Sequence, residues 1–249
     1  MRAASEAELW ELHVRALAEF GAALRRAPDA RVPAYPSWVV RDLAVHLVGV
    51  HTMAATAIET AASSRPGFDN LADGRTDVDE LLSELSESRE RLDRALASTD
   101  LERVWVIRPD RRPHDWRRRM LMEAELHRYD AEQASGTPRF PTRELALEGI
   151  DEFLQTHGLR SLPEEGLAGL IDVRTEGGSW RVDLARATVT AGHESDVPPA
   201  DGLLRGTAPA IWLWCNLRTQ LPTPVHLEDR NGTLARYIVI LSTLRRPSR

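Results

Sequence analysis

The stretch from Arg117 to Thr137, RRRMLMEAELHRYDAEQASGT, constrains this chain more than any other. At helical spacing Trp116, Met120, Glu123, His127 and Ala131 fall along one side of a helix. That side is apolar except at Glu123 and His127, which are neighbours one turn apart. A carboxylate and an imidazole on a core-facing stripe are unfavourable unless something satisfies them. Two arrangements would do so: a buried, hydrogen-bonded Glu–His pair, or a divalent cation held by both.

A second helix upstream carries a related anomaly. From Pro36 to Val50 and beyond, Val39, Leu43, His46, Val50, Met53 and Ala57 follow alternating four- and three-residue steps, the core stripe of a bundle helix, with His46 inside it. Ser37 is the expected N-cap. A lone histidine on such a face is ordinarily a satisfied core residue. One histidine from this helix, with a glutamate and a histidine from the other, is a three-ligand nitrogen/oxygen set with room for water or substrate. That is the open arrangement of a catalytic zinc-type site.

These residues carry a family resemblance. WVVRDLAVHLVG and MLMEAELHRYDAEQASGTP resemble the two signature regions of the mycothiol-dependent maleylpyruvate isomerase family, within the DinB-like four-helix-bundle superfamily. The matching positions are Trp38, Asp42, Leu43, His46 and Leu47, then Glu123, His127, Arg128, Tyr129, Asp130, Ala131 and Glu132. The resemblance implies metal ligands at His46, Glu123 and His127. It also implies mycothiol as thiol cosubstrate and a small sterol-carrier-like C-terminal domain.

Composition narrows the alternatives. The 249 residues include 32 Lys+Arg, and all of these are arginine. Without lysine there is no Schiff-base residue and no Walker-type phosphate loop. The net charge of −6 does not describe a nucleic-acid-binding surface. Cys215 is the only cysteine, which excludes an intrachain disulfide. Residues 1–27 are charged throughout, unlike a signal peptide, and no apolar run is long enough to span a membrane. A cytoplasmic protein is expected, and the Ala-, Arg-, Leu- and Glu-rich composition fits an actinobacterial source.

In chain order, helices are expected over residues 5–27, 37–63, 78–97, from after Pro113 to about 135, and 142–157, with loops at 29–36, 64–75 and 99–113. His13 reads as a surface residue and His51 as partly exposed. The run Arg117-Arg118-Arg119 reads as a solvated first turn. Periodicity changes after His157. Residues 158–166 read as a linker. Strands are then expected at 167–175, 179–184 and 187–191, a polar loop at 192–201, a helix at 206–218, a short strand at 225–228 and a last helix at 233–244. The fold class is α+β: a DinB-like four-helix bundle in residues 1–157 and a small α+β domain in 167–249. IWLWCNLR and EDRNG depart from the motifs usual in that second domain.

The expected chemistry centres on His46, Glu123 and His127 as metal ligands, with no catalytic residue distinct from them. Zinc is the first expectation; nickel, iron and manganese suit the same donors. Asp42 and Asp130 are candidates to orient the imidazoles; capping and surface roles are their alternatives. The partners would be a low-molecular-weight thiol and a small electrophile, without nucleic acid or membrane, in a monomer or homodimer. Isomerase and S-transferase activity share the thiolate attack. A non-catalytic small-molecule-binding or stress-response protein and a metal-dependent hydrolase are the other classes. Cys215 as nucleophile, with His226 as base, is weaker than Cys215 as a core residue.

Overall fold

The computed structural model describes residues 5–67, 76–97, 104–106, 115–159, 166–192 and 198–244. The chain divides into two compact units, 1–139 and 140–249. Each is α-helical or mixed as the α+β reading requires: a helical N-terminal unit and a C-terminal unit built on a sheet.

The first unit contains α1 (Glu6–Arg26), α2 (Val40–Glu59), α3 (Val78–Ala97) and α4 (Asp115–Ala134). Ser5 opens α1 with a capping box, accepting from the Glu8 N–H while Glu8 accepts from Ser5. Gly136, at φ +78°, ends the turn that follows α4. Helix α1 packs along α4, and α2 along α3. One apolar cluster joins Leu17, Phe20 and Leu24 to Leu43, Leu47, Leu81, Leu85 and Ala124. Another joins Val50, Met53 and Ile58 to Leu92, Leu96, Trp116 and Met120. Along α2 and α4 the clusters run in opposite chain order, so these helices are antiparallel. His46 and Glu123 lie where the clusters meet.

The expected loop at 29–36 contains a short antiparallel hairpin instead: β1 (Arg31–Val32) and β2 (Tyr35–Val39). Its two prolines did not prevent pairing because a two-stranded ribbon is all edge. The hairpin moves the start of α2. Ser37 lies in β2, and Asp42 closes the helix by accepting the Val39 N–H at 2.8 Å. Of the expected irregular stretch 99–113, only 104–106 are described, with Val104 and Val106 buried. Residues 68–75 of the expected loop, 160–165 of the expected linker and 193–197 of the expected polar loop lie outside the described residues.

The second unit begins with α5 (Arg143–Gln155), which the sequence reading assigned to the bundle. Its apolar face packs on α6 (Ala208–Cys215). Gly149 faces Trp212 so closely that a Cβ would strike the indole, and Asp151 accepts the Trp180 Nε1–H at 2.8 Å. The unit boundary therefore falls between Arg139 and Phe140 rather than after His157. The sheet comprises β3 (Leu170–Arg174), β4 (Ser179–Asp183), β5 (Thr188–Ala191), β6 (Gly202–Arg205) and β7 (His226–Asp229), in the order β5-β4-β3-β6-β7. Strand β6, unassigned in the sequence, pairs parallel to β3; every other pairing is antiparallel. Helix α7 (Thr233–Leu244) closes the unit. Cys215 is buried in α6, whereas His226 is exposed on β7, which removes the support for a Cys215–His226 pair. Among the described residues, no helix is long and apolar enough to cross a membrane.

Candidate metal centre

Helix α2 supplies His46 and helix α4 supplies Glu123 and His127. One turn separates the latter two, which puts both on the side facing α2. Glu123 Oε2 lies 3.3 Å from His127 Nε2 and 3.8 Å from His46 Nε2. The imidazole rings meet edge to face, their centroids 5.0 Å apart. One potential ligand atom from each residue lies within 4.8 Å of the other two. Four-coordinate zinc with bonds of about 2.1 Å would space its donors by roughly 3.4 Å. The three residues thus fit a divalent ion with little rearrangement.

The surroundings set each protonation state. Asp130, one turn beyond His127 and fully buried, faces His127 Nδ1 at 3.0 Å. With the proton on Nδ1, the Nε2 lone pair is directed at Glu123 and His46. Burial works to lower the His127 pKa, but hydrogen bonds to Asp130 and Glu123 outweigh it, so the imidazole titrates above its ordinary value. Burial would raise the Glu123 carboxyl. The Arg119 guanidinium and the two imidazoles reverse that, holding it well below the usual carboxylate range. The surroundings thus favour a proton on His127 and disfavour one on Glu123.

Arg119 is a correction to the expected solvated first turn. It is buried and ion-pairs with Glu123 Oε1. Arg117 is also largely covered, lying over the Trp10 ring and facing Glu6 and Asp93. The spacing of Arg119 four residues before Glu123 was the available signal. Asp42 belongs to the N-terminal cap of α2, as described, whereas Asp130 touches an imidazole. From the hairpin, Trp38 stacks at a tilt 5.6 Å from the His46 ring, and Tyr35 lies 5.1 Å from Trp38 and 6.4 Å from the His127 ring. Two aromatic rings thereby border the imidazoles.

Residues 10–132 match the family model of the mycothiol maleylpyruvate isomerase N-terminal domain. The bundle belongs to that family. His46, Glu123, His127 and Asp130 all lie within the matched range. A solved structure of a histidine-to-alanine mutant of the mycothiol-dependent maleylpyruvate isomerase is similar in fold, with a TM-score of 0.56 at 13% identity over 85% of this chain and 88% of that one. This likeness is one of fold, and at 85% of the chain it reaches past the bundle into the second unit. The comparison with curated protein sequences returns no match.

Among the described residues, two further bundle histidines differ from the expectation. His13 and His51 are fully buried, with their Nε2 atoms 3.2 Å apart. His51 Nδ1 lies 3.2 Å from Ser88 Oγ, and that hydroxyl donates to the Leu85 carbonyl at 2.9 Å. Burial, followed by the nearby Arg89 charge, lowers the His51 pKa to about 3; burial and the neighbouring His51 also lower that of His13. Helix α4 has a polar second side as well. Buried Arg128 pairs with Glu125 and Glu132, while Arg139 ties Glu132 to Glu19 of α1. That network faces α1 rather than the His46 side of the helix.

Proposed function

We propose that this protein is a metal- and mycothiol-dependent enzyme that directs a thiolate at an electrophilic small molecule. The observation supporting it is the convergence of His46, Glu123 and His127 within 4.8 Å, on two helices of a bundle from this family. A bound divalent ion, zinc first, would supply a Lewis acid that brings a thiol's pKa toward neutrality. His46 and His127 would offer imidazole nitrogens and Glu123 a carboxylate oxygen. Asp130 keeps the His127 proton on Nδ1. Tyr35 and Trp38 provide an apolar border for a planar substrate.

With a maleylpyruvate-like compound, the thiolate adds to an activated cis double bond. The former double bond then rotates as a single bond, and elimination of the thiolate gives the trans product. With an electrophile that has no such return path, the thiol stays attached and the outcome is S-transfer.

The test is elemental analysis together with turnover of maleylpyruvate in the presence and absence of mycothiol, for the wild type and for folded His46→Ala and His127→Ala. Near one ion per chain and mycothiol-dependent turnover, both lost in the variants, is the expected result. Absence of any ion after supplementation with zinc, nickel and manganese would refute the proposal. Turnover without thiol would replace it with a hydrolase, and a tightly held small molecule without turnover would replace it with a binding protein.

A further inference from the structure

The carboxylate of Glu123 is divided between two neighbours. Oε2 faces the two imidazoles, while Oε1 is taken by the Arg119 guanidinium. The Arg119 side chain is 11% exposed and that of Glu123 is 15% exposed, so water cannot easily substitute for either partner. An ordinary helix-stabilising pair does not account for this placement. Stabilising pairs sit on solvated faces, and the order with the acid first is the better one; here the base comes first and the pair is covered. A buried guanidinium needs an anionic partner, and its rigid fork fixes the carboxylate's orientation more closely than a flexible ammonium would.

We propose that Arg119 is a positioning residue that keeps Glu123 a one-oxygen ligand, by occupying Oε1 so that only Oε2 is presented to the ion. The inference rests on the metal site proposed above. Its chemical consequence concerns coordination number. A carboxylate free to turn would bring both oxygens to the ion and fill a position that the thiol or the substrate requires. With Oε1 held from the same helix, three protein donors remain and the open side is kept open.

The test uses the full chain loaded with cobalt(II), whose visible absorption weakens stepwise from four- through five- to six-coordinate sites. Wild type is compared with Arg119→Met, Arg119→Ala and Arg119→Lys, each checked for folding by circular dichroism. The expected result is strong wild-type absorption, a severalfold loss of intensity in Arg119→Met, and recovery in Arg119→Lys, which restores a donor to Oε1. Should Arg119→Met fail to fold, Arg119→Ala gives the same reading with less bulk. An unchanged spectrum in either folded, donor-free variant overturns the positioning role and leaves the metal site standing. A wild type that takes up no cobalt overturns both.

Discussion

The bundle contains two pairs of neighbouring histidines and treats them in opposite ways. His46 and His127 share a carboxylate, and Asp130 adds a second one behind His127. His13 and His51 face each other, the Ser88 hydroxyl and the tilted Trp10 ring, with the Arg89 charge nearby. The same side chain is consequently held above its ordinary pKa in one place and far below it in the other. Burial acts in the same direction on His51 and His127, so the neighbouring charges determine the result. The surroundings of His127 favour its charged form, whereas those of His13 and His51 favour the neutral one.

The largest effect is expected at the pair that shares Glu123. His127→Ala should reduce bound ion from near one per chain to near zero by elemental analysis, without unfolding the bundle. Asp130→Asn keeps every proposed ligand but removes the anion behind His127. Metal affinity should fall about 10–100-fold, measured by chelator competition. Unchanged affinity would show that the buried carboxylate does not orient the ring.

The neutral pair makes a prediction of opposite character. An unfolded histidine takes up a proton near pH 6.5, whereas folded His51 resists until about pH 3. The unfolded state binds more protons throughout that window, so stability is complete above about pH 6.5 and is lost as the pH falls. Between pH 7 and pH 5 one such residue accounts for about 2 kcal/mol. Denaturant titrations should show that loss, and His51→Gln should flatten it. A His51→Gln protein as acid-sensitive as the wild type would remove the pair from the explanation. The smallest effect is expected from Ser88→Ala, which deprives His51 Nδ1 of its partner. A loss of about 1 kcal/mol at pH 7 is expected from thermal or denaturant unfolding.

Much of this was legible in the sequence, and the misreadings have identifiable causes. The apolar periods of α3 and α7 are regular along their whole length and mark their spans. His46, Glu123 and His127 stood out because they interrupt stripes that are otherwise apolar. His13 follows Leu9 by four residues and precedes Ala16 by three, and His51 stands likewise between Leu47 and Ala54. Both were therefore on buried stripes, and polarity was mistaken for exposure. Arg119 was misread because three successive arginines point in different directions, and Arg119 is the one seen to pair with Glu123. The place of α5 was hidden because an amphipathic helix does not announce which neighbour its apolar face will meet. Strand β6 was obscured by tertiary context: GLLR is short, and its parallel partner β3 lies across two intervening strands.

That parallel pairing imposes an order of assembly. Strands β3, β4 and β5 form consecutive antiparallel neighbours and can zip locally. Strand β6 can join β3 only after the chain has crossed back over that ribbon, and β7 can join only through β6. Loop-closure entropy must be overcome before the β3–β6 contact contributes anything, which makes it the slow step in completing the sheet. Two of the five strands are thus gathered late through one seam, and amide protons along β6 and β7 should be the earliest in the sheet to exchange when this unit opens.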